Sequence, residues 1–213
     1  MRRSTARRRL EGAGWSPTRK LLASVAVLGA AASIAGLGTF ATFTSSTSAS
    51  HTVSSGTVTI ALGATGASTN RLTVGATAIA PGDTIQRSVD LINSGSLDLA
   101  SVTLTTTAPT SSLLDTDATN GLQMVIDKCS VAWTESGPPF TYTCGGTTSS
   151  VLTTRPVIGS ALALTNLSSL TSGTTDHLRV TLTLPSGAGN TLQNQSSTIS
   201  YAFTGTQRAA TNK

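Results

Sequence analysis

The sequence predicts an all-β protein, a two-layer β-sandwich of jelly-roll type preceded by an N-terminal hydrophobic signal helix. Three observations predict it. Apolar residues recur at every second position in six stretches, turn residues separate those stretches, and no charged amphipathic helix appears. Eight to ten strands in a domain of this length call for two packed layers.

The chain begins with a leader of different character. Arg2, Arg3, Arg7, Arg8, Arg9, Arg19 and Lys20 lie in the first twenty positions, opposed only by Glu11. From Leu21 onward seven basic side chains face eight acidic ones, so the high pI belongs to the leader. No net positive charge remains to hold a nucleic acid, which argues against that partner class. Leu21 to Phe43 is uncharged and mostly apolar, the pattern of a secretory signal. Gly29, Gly36 and Gly38 favour a cleavage zone over a permanent helix, and Thr39-Phe40-Ala41 places small residues before a cut between Ala41 and Thr42. The competing reading is an uncleaved anchor over residues 21–43, the only route by which a membrane enters. The expected organisation is a signal peptide at 1–41, an extended segment at 42–55, a β-sandwich at 56–207 and a tail at 208–213.

In the mature part Ser and Thr fill more than a third of positions, but they interleave with Val, Ile and Leu. Threonine suits a pleated, half-buried surface, so the region reads as strand rather than as a disordered stalk. Val58, Ile60 and Leu62 open the series. Ile85, Val89 and Leu91 alternate with Gln86, Ser88 and Asp90, and Val102 and Leu104 share a face with Thr106. Leu122, Met124 and Ile126 follow, then Leu178, Val180, Leu182 and Leu184 opposite His177, Arg179, Thr181 and Thr183. Ile199, Tyr201 and Phe203 close it. Turns are expected at Ser55-Gly56, Pro81-Gly82-Asp83, Asn93-Ser94-Gly95, Ser136-Gly137-Pro138-Pro139 and Pro185-Ser186-Gly187. Residues 159–172 are ambiguous between a short helix and a turn.

Cys129 and Cys144 are the only cysteines, and behind an export signal they read as a disulfide. Residues 129–144 form two alternating arms about a turn. Placing Cys129 opposite Cys144 also places Val131 opposite Tyr142 and Trp133 opposite Phe140, with Glu135 to Pro138 as the loop. Closing such a loop is worth about 3 kcal/mol.

Four blocks carry a family likeness: KLLASVAVLGAAASIAGLGTFATFTSSTS in the leader, SSGTVTIAL at 54–62, APGDTIQRSVDLINSGSLDLASVTLTT at 80–106 and LPSGAGNTLQNQSSTISYAFTGTQ at 184–207. In this order they resemble the TasA/camelysin family of exported bacterial surface proteins, whose signal peptides a SipW-type peptidase handles. The disulfide hairpin departs from that pattern. The resemblance implies a secreted or cell-surface jelly roll that self-associates into biofilm-matrix fibres, the N-terminal strand of one subunit completing its neighbour's sheet. The corresponding segment is 42–55, with Thr42, Phe43, Thr44, His51 and Val53 as candidate donor-strand residues; a plain flexible N-terminus is the alternative.

Camelysin also implies a metallopeptidase. The two histidines, His51 and His177, have no carboxylate at helical ligand spacing, and Asp176 points to the opposite sheet face from His177. Gly-x-Ser-x-Gly is absent, and Asp115 and Asp117 fail the calcium-loop pattern, reading instead as solvated loop acids. Asn166 and Asn194 match glycosylation sequons that in a bacterial protein are usually chance. Trp133, Phe140 and Tyr142 read as packing rather than as a carbohydrate platform. The expectation is a structural protein with no catalytic or metal residues and no cofactor, with an anchored adhesion module and a camelysin-like peptidase as the competing readings.

Overall fold

The computed structural model describes residue 18 and residues 55–211. The leader, the Ala41–Thr42 junction and the candidate donor residues Thr42, Phe43, Thr44, His51 and Val53 lie outside the described residues. Among those described, no helix is long and apolar enough to cross a membrane.

The described residues form ten strands: β1 (Ile60–Leu62), β2 (Thr84–Asn93), β3 (Leu99–Thr110), β4 (Gln123–Cys129), β5 (Thr134–Ser136), β6 (Thr141–Thr143), β7 (Thr148–Pro156), β8 (Gly159–Ala163), β9 (Thr175–Thr183) and β10 (Thr198–Gln207). They make a five-stranded sheet in the order β1-β2-β9-β4-β7, a three-stranded sheet in the order β10-β3-β8, and the separate hairpin β5-β6. Every pairing is antiparallel. The two larger sheets pack face to face about one core, with Val89, Leu91, Met124, Ile126, Leu178 and Val180 from one layer meeting Val102 and Leu104 from the other. The protein is therefore all-β, with antiparallel sheets packed against one another.

The alternation in the sequence decides these faces. In β9 every second residue from Asp176 to Leu182 is buried, and Leu184 beyond its end is buried too. Burying a leucine contributes about 2 kcal/mol, so a one-residue slip, which would turn the whole row outward, is strongly disfavoured. Thr106 also lies on the core face, as its spacing requires. Its hydroxyl donates to the Val157 carbonyl (2.6 Å) and accepts from the Gly159 N–H (2.9 Å), so its burial leaves nothing unpaired.

Two strands escaped the alternation rule. In β7 the buried Val151 and Leu152 are adjacent, because register shifts against β4 break the period. The ambiguous stretch at 159–172 begins with a strand, β8, instead of a helix. Its register jumps between Leu104–Leu162 and Thr106–Gly159, so Ser160 and Ala161 bulge opposite Thr105, and Ala161 has φ +49°.

A single helical turn, α1 (Leu113–Thr116), was not expected. Ser112 caps it: the Ser112 hydroxyl accepts from the Leu114 N–H, while the Asp115 carboxylate accepts from the Ser112 N–H at 2.7 Å. Asp115 is thus a buried capping residue and not a solvated loop acid. It also accepts from the hydroxyls of Ser111 (2.7 Å) and Ser197 (2.5 Å), tying α1 to the segment that enters β10. Burial alone would raise its pKa, but the bonds from Ser197, Ser112 and Ser111 outweigh that and hold it below the usual carboxylate range. Asn166 and Asn194 both have φ +58°, where asparagine is among the better tolerated residues, which gives them a turn role of their own.

Candidate functional site

Three regions hold the chemistry of the described residues: the disulfide hairpin, the ionisable pairs of the five-stranded sheet, and the open flank beside β10.

Cys129 and Cys144 are bonded, with Cα atoms 5.6 Å apart. The register of the hairpin is not the expected one. Glu135 stands opposite Tyr142, flanked by the pairs Thr134–Thr143 and Ser136–Thr141, a slide of four residues. Trp133 does not face Phe140, Val131 does not face Tyr142 and is 47 % exposed, and the loop runs over 137–140. Two causes are visible. Cys129 still belongs to β4 in the large sheet, so the disulfide joins a sheet strand to the end of β6 and is not a rung of the hairpin ladder. Pro138 and Pro139 cannot donate ladder hydrogen bonds, so the turn settles on them, entered through Gly137 at φ +116°. A Cβ on Gly137 would meet the Pro139 carbonyl oxygen. Because the slide is even, it preserves the faces: Trp133, Glu135, Phe140, Tyr142 and Cys144 remain on one side.

That side lies on the outer face of the five-stranded sheet. Cys129, Trp133 and Tyr142 are buried as a second small core, with Phe140 and Cys144 packed against it. The Trp133 indole N–H donates to the His177 carbonyl (2.8 Å), and the Arg179 guanidinium sits 4.4 Å over the Trp133 ring. Glu135 accepts from Arg71 Nε (2.9 Å) and Nη2 (2.6 Å) and from the Tyr142 hydroxyl (2.9 Å). The Arg71 bonds hold the Glu135 carboxyl below its usual range, whereas burial pushes the Tyr142 hydroxyl up. Arg71 and Arg87 both lie over the Phe140 ring, at 4.7 and 5.4 Å. The aromatic set is therefore packing, as expected, with cation–π contacts that the sequence did not announce and with different pairs.

Three further ion pairs lie on the five-stranded sheet. His177 Nδ1 is 2.7 Å from Asp90, Arg179 is 3.1 Å from Asp127, and Lys128 is 3.1 Å from Asp176. His177 and Asp176 do point to opposite faces. Asp176 is 2 % exposed and accepts from the Ser168 N–H (3.0 Å) and Ser169 N–H (2.7 Å) as well as from Lys128. Burial would raise its pKa, but these bonds prevail and lower it. Among the described residues no three His, Cys, Asp or Glu side chains converge in a way that could hold a metal ion. The only described histidine is paired with Asp90, and the cysteines are oxidised. This donor set does not fit a zinc centre, which needs at least three converging ligands.

The third region is a flank. Among the described residues β10 pairs with β3 alone, and its inward residues Ile199, Tyr201 and Phe203 are only partly buried. The layers meet tightly at one end, where a Cβ on Gly205 would strike Ile60. They diverge toward Ile199, leaving a cavity of about 650 Å³. Sequence reasoning missed this flank because alternation assigns faces but does not reveal which strand lacks a second neighbour.

A family model described as camelysin metallo-endopeptidase matches residues 17–212, nearly the whole chain. No curated protein matches it. On the strength of that match, the chain belongs to the camelysin metallo-endopeptidase family.

Proposed function

We propose that the protein is a structural subunit of the bacterial cell surface or biofilm matrix, exported by its leader, which a SipW-type peptidase then removes. Subunits associate into fibres when the N-terminal segment, residues 42–55, adds as a strand to a neighbour. The observation that carries this reading is the edge of β10: ten residues, without proline or charge, bonded on one side only among the described residues. A strand added there would raise the smaller sheet from three strands to four and cover the half-buried Ile199, Tyr201 and Phe203. The segment 42–55 supports the reading by its composition, being uncharged, proline-free and rich in threonine.

Deleting residues 42–52 is expected to leave a folded domain that no longer polymerises, as judged by electron microscopy of the purified protein. Unchanged fibres from the deleted chain would remove the proposal. The family description favours a second reading, a metallo-endopeptidase. Zinc binding by the purified chain, with peptide cleavage that a chelator stops, would establish that reading in place of the first.

A further inference from the structure

Arg87 occupies a position where the strand pattern calls for an apolar residue. In β2 the residues Ile85, Val89 and Leu91 belong to the core face, and Arg87 has their parity. Its Nε donates to the Val74 carbonyl (2.6 Å), Nη1 to Gln86 (2.7 Å) and Nη2 to Gly75 (2.7 Å). All three acceptors are neutral, and one N–H on each terminal nitrogen is left over. Among the described residues no carboxylate lies within ion-pair distance of Arg87; Glu135 is taken by Arg71. Burial is the main influence on this guanidinium and lowers its pKa.

Tyr201 enters the same space from β10. It packs against the core, and its hydroxyl makes no hydrogen bond to any described residue and is reachable from the cavity. Burial raises its pKa, and Arg87 is the charge that opposes the rise. Both groups line the cavity of about 650 Å³, whose walls include Leu72, Ile79, Leu182, Leu184, Leu192 and Ile199. These aliphatic side chains face a polar side formed by residues 193–197 with Arg87 and Tyr201, and a cavity of this volume is within the range of small-molecule sites. A guanidinium with one spare donor on each terminal nitrogen, beside a spare phenol, suits a planar group with two acceptor oxygens and one negative charge.

We propose that this cavity binds a free fatty acid, the chain lying along the leucines and the carboxylate received by Arg87 and Tyr201. The site requires no polymer, although it shares Ile199 and Tyr201 with the flank that an added strand would cover, so it belongs to the subunit before assembly.

The full-length chain, kept soluble in an amphipol, is irradiated with a diazirine analogue of dodecanoate, and labelled peptides are mapped by mass spectrometry. Labels are expected in peptides spanning 72–79 and 182–201. Excess dodecanoate should remove them, and dodecanol should not. Arg87→Gln should lower this labelling roughly tenfold and Tyr201→Phe about threefold, the range for losing a charged and a neutral hydrogen bond. Arg87→Lys should retain more label than Arg87→Gln. Leu192→Trp, which fills the cavity while leaving both polar groups intact, should also lose it. Labelling of residues 21–43 serves as the internal control and should not change. Should Arg87→Gln fail to fold, Tyr201→Phe and Leu192→Trp carry the test. The proposal is overturned by labels confined to residues 21–43, by equal competition from dodecanol, or by variants that label like the unaltered chain.

Discussion

Replacing Asp176 with asparagine tests how the buried charges of the domain are held. The carboxylate is 2 % exposed, with two main-chain N–H groups and the Lys128 ammonium as its partners. Asparagine keeps one acceptor oxygen but turns an amide donor toward these donors and leaves Lys128, itself 16 % exposed, without its counter-charge. Breaking one side of a buried pair in this way costs about 3–5 kcal/mol, a large part of the stability of a domain of this size. The assay is urea unfolding at neutral pH followed by circular dichroism, with Lys128→Met and the double variant completing a cycle. A loss for Asp176→Asn below about 1 kcal/mol, or no coupling to Lys128, would refute the reasoning. The pH dependence follows from the same geometry. The folded pKa is depressed, so the unfolded chain binds the proton more readily, and the contribution is fully present above the ordinary aspartate value of about 4. Stability should fall as the pH drops from there through the folded pKa, and Asp176→Asn should flatten that part of the profile.

Three further outcomes are expected. Converting both cysteines to serine should cost about 3 kcal/mol in the chain-entropy picture; hydrogen exchange should quicken chiefly at 134–143, leaving β2 and β9 protected. Ala161→Gly should stabilise by up to about 1 kcal/mol and raise the melting temperature, because it relieves a left-handed backbone that alanine resists. Ser197→Ala should destabilise by about 1–2 kcal/mol, since the Asp115 carboxylate loses a 2.5 Å hydroxyl donor; an unchanged melting temperature would mean that the α1 clasp contributes little.

Much of the fold was legible because the rule that assigns it is local. Alternation placed β2, β3, β4, β9 and β10 and assigned their faces, since a strand with one side in a core must repeat every second residue. The rule failed where the period itself breaks, at the bulged β7 and β8. It also misread Asp115, because a capping carboxylate and a loop acid look alike until the distant Ser197 is seen beside it. At the hairpin the faces were readable but the pairing was not. Opposed cysteines fix a register only if the disulfide is a rung of the ladder, and here the prolines and the attachment of Cys129 to β4 decided it. The flank with Arg87 and Tyr201 was least visible. Arg87 sat plainly in an apolar row, but what it faces depends on strands more than a hundred positions apart.

The hairpin folded over the outside of the large sheet divides the molecule into two dry rooms with a common wall. One lies between the layers, and the other beneath Trp133 and Tyr142, where even the outward-facing Ser88 is 2 % exposed. Damage to the outer room, by a reductant for instance, need not empty the inner one. The domain should therefore lose its order in two separable stages, the first of them reversible by re-oxidation while the larger room still stands.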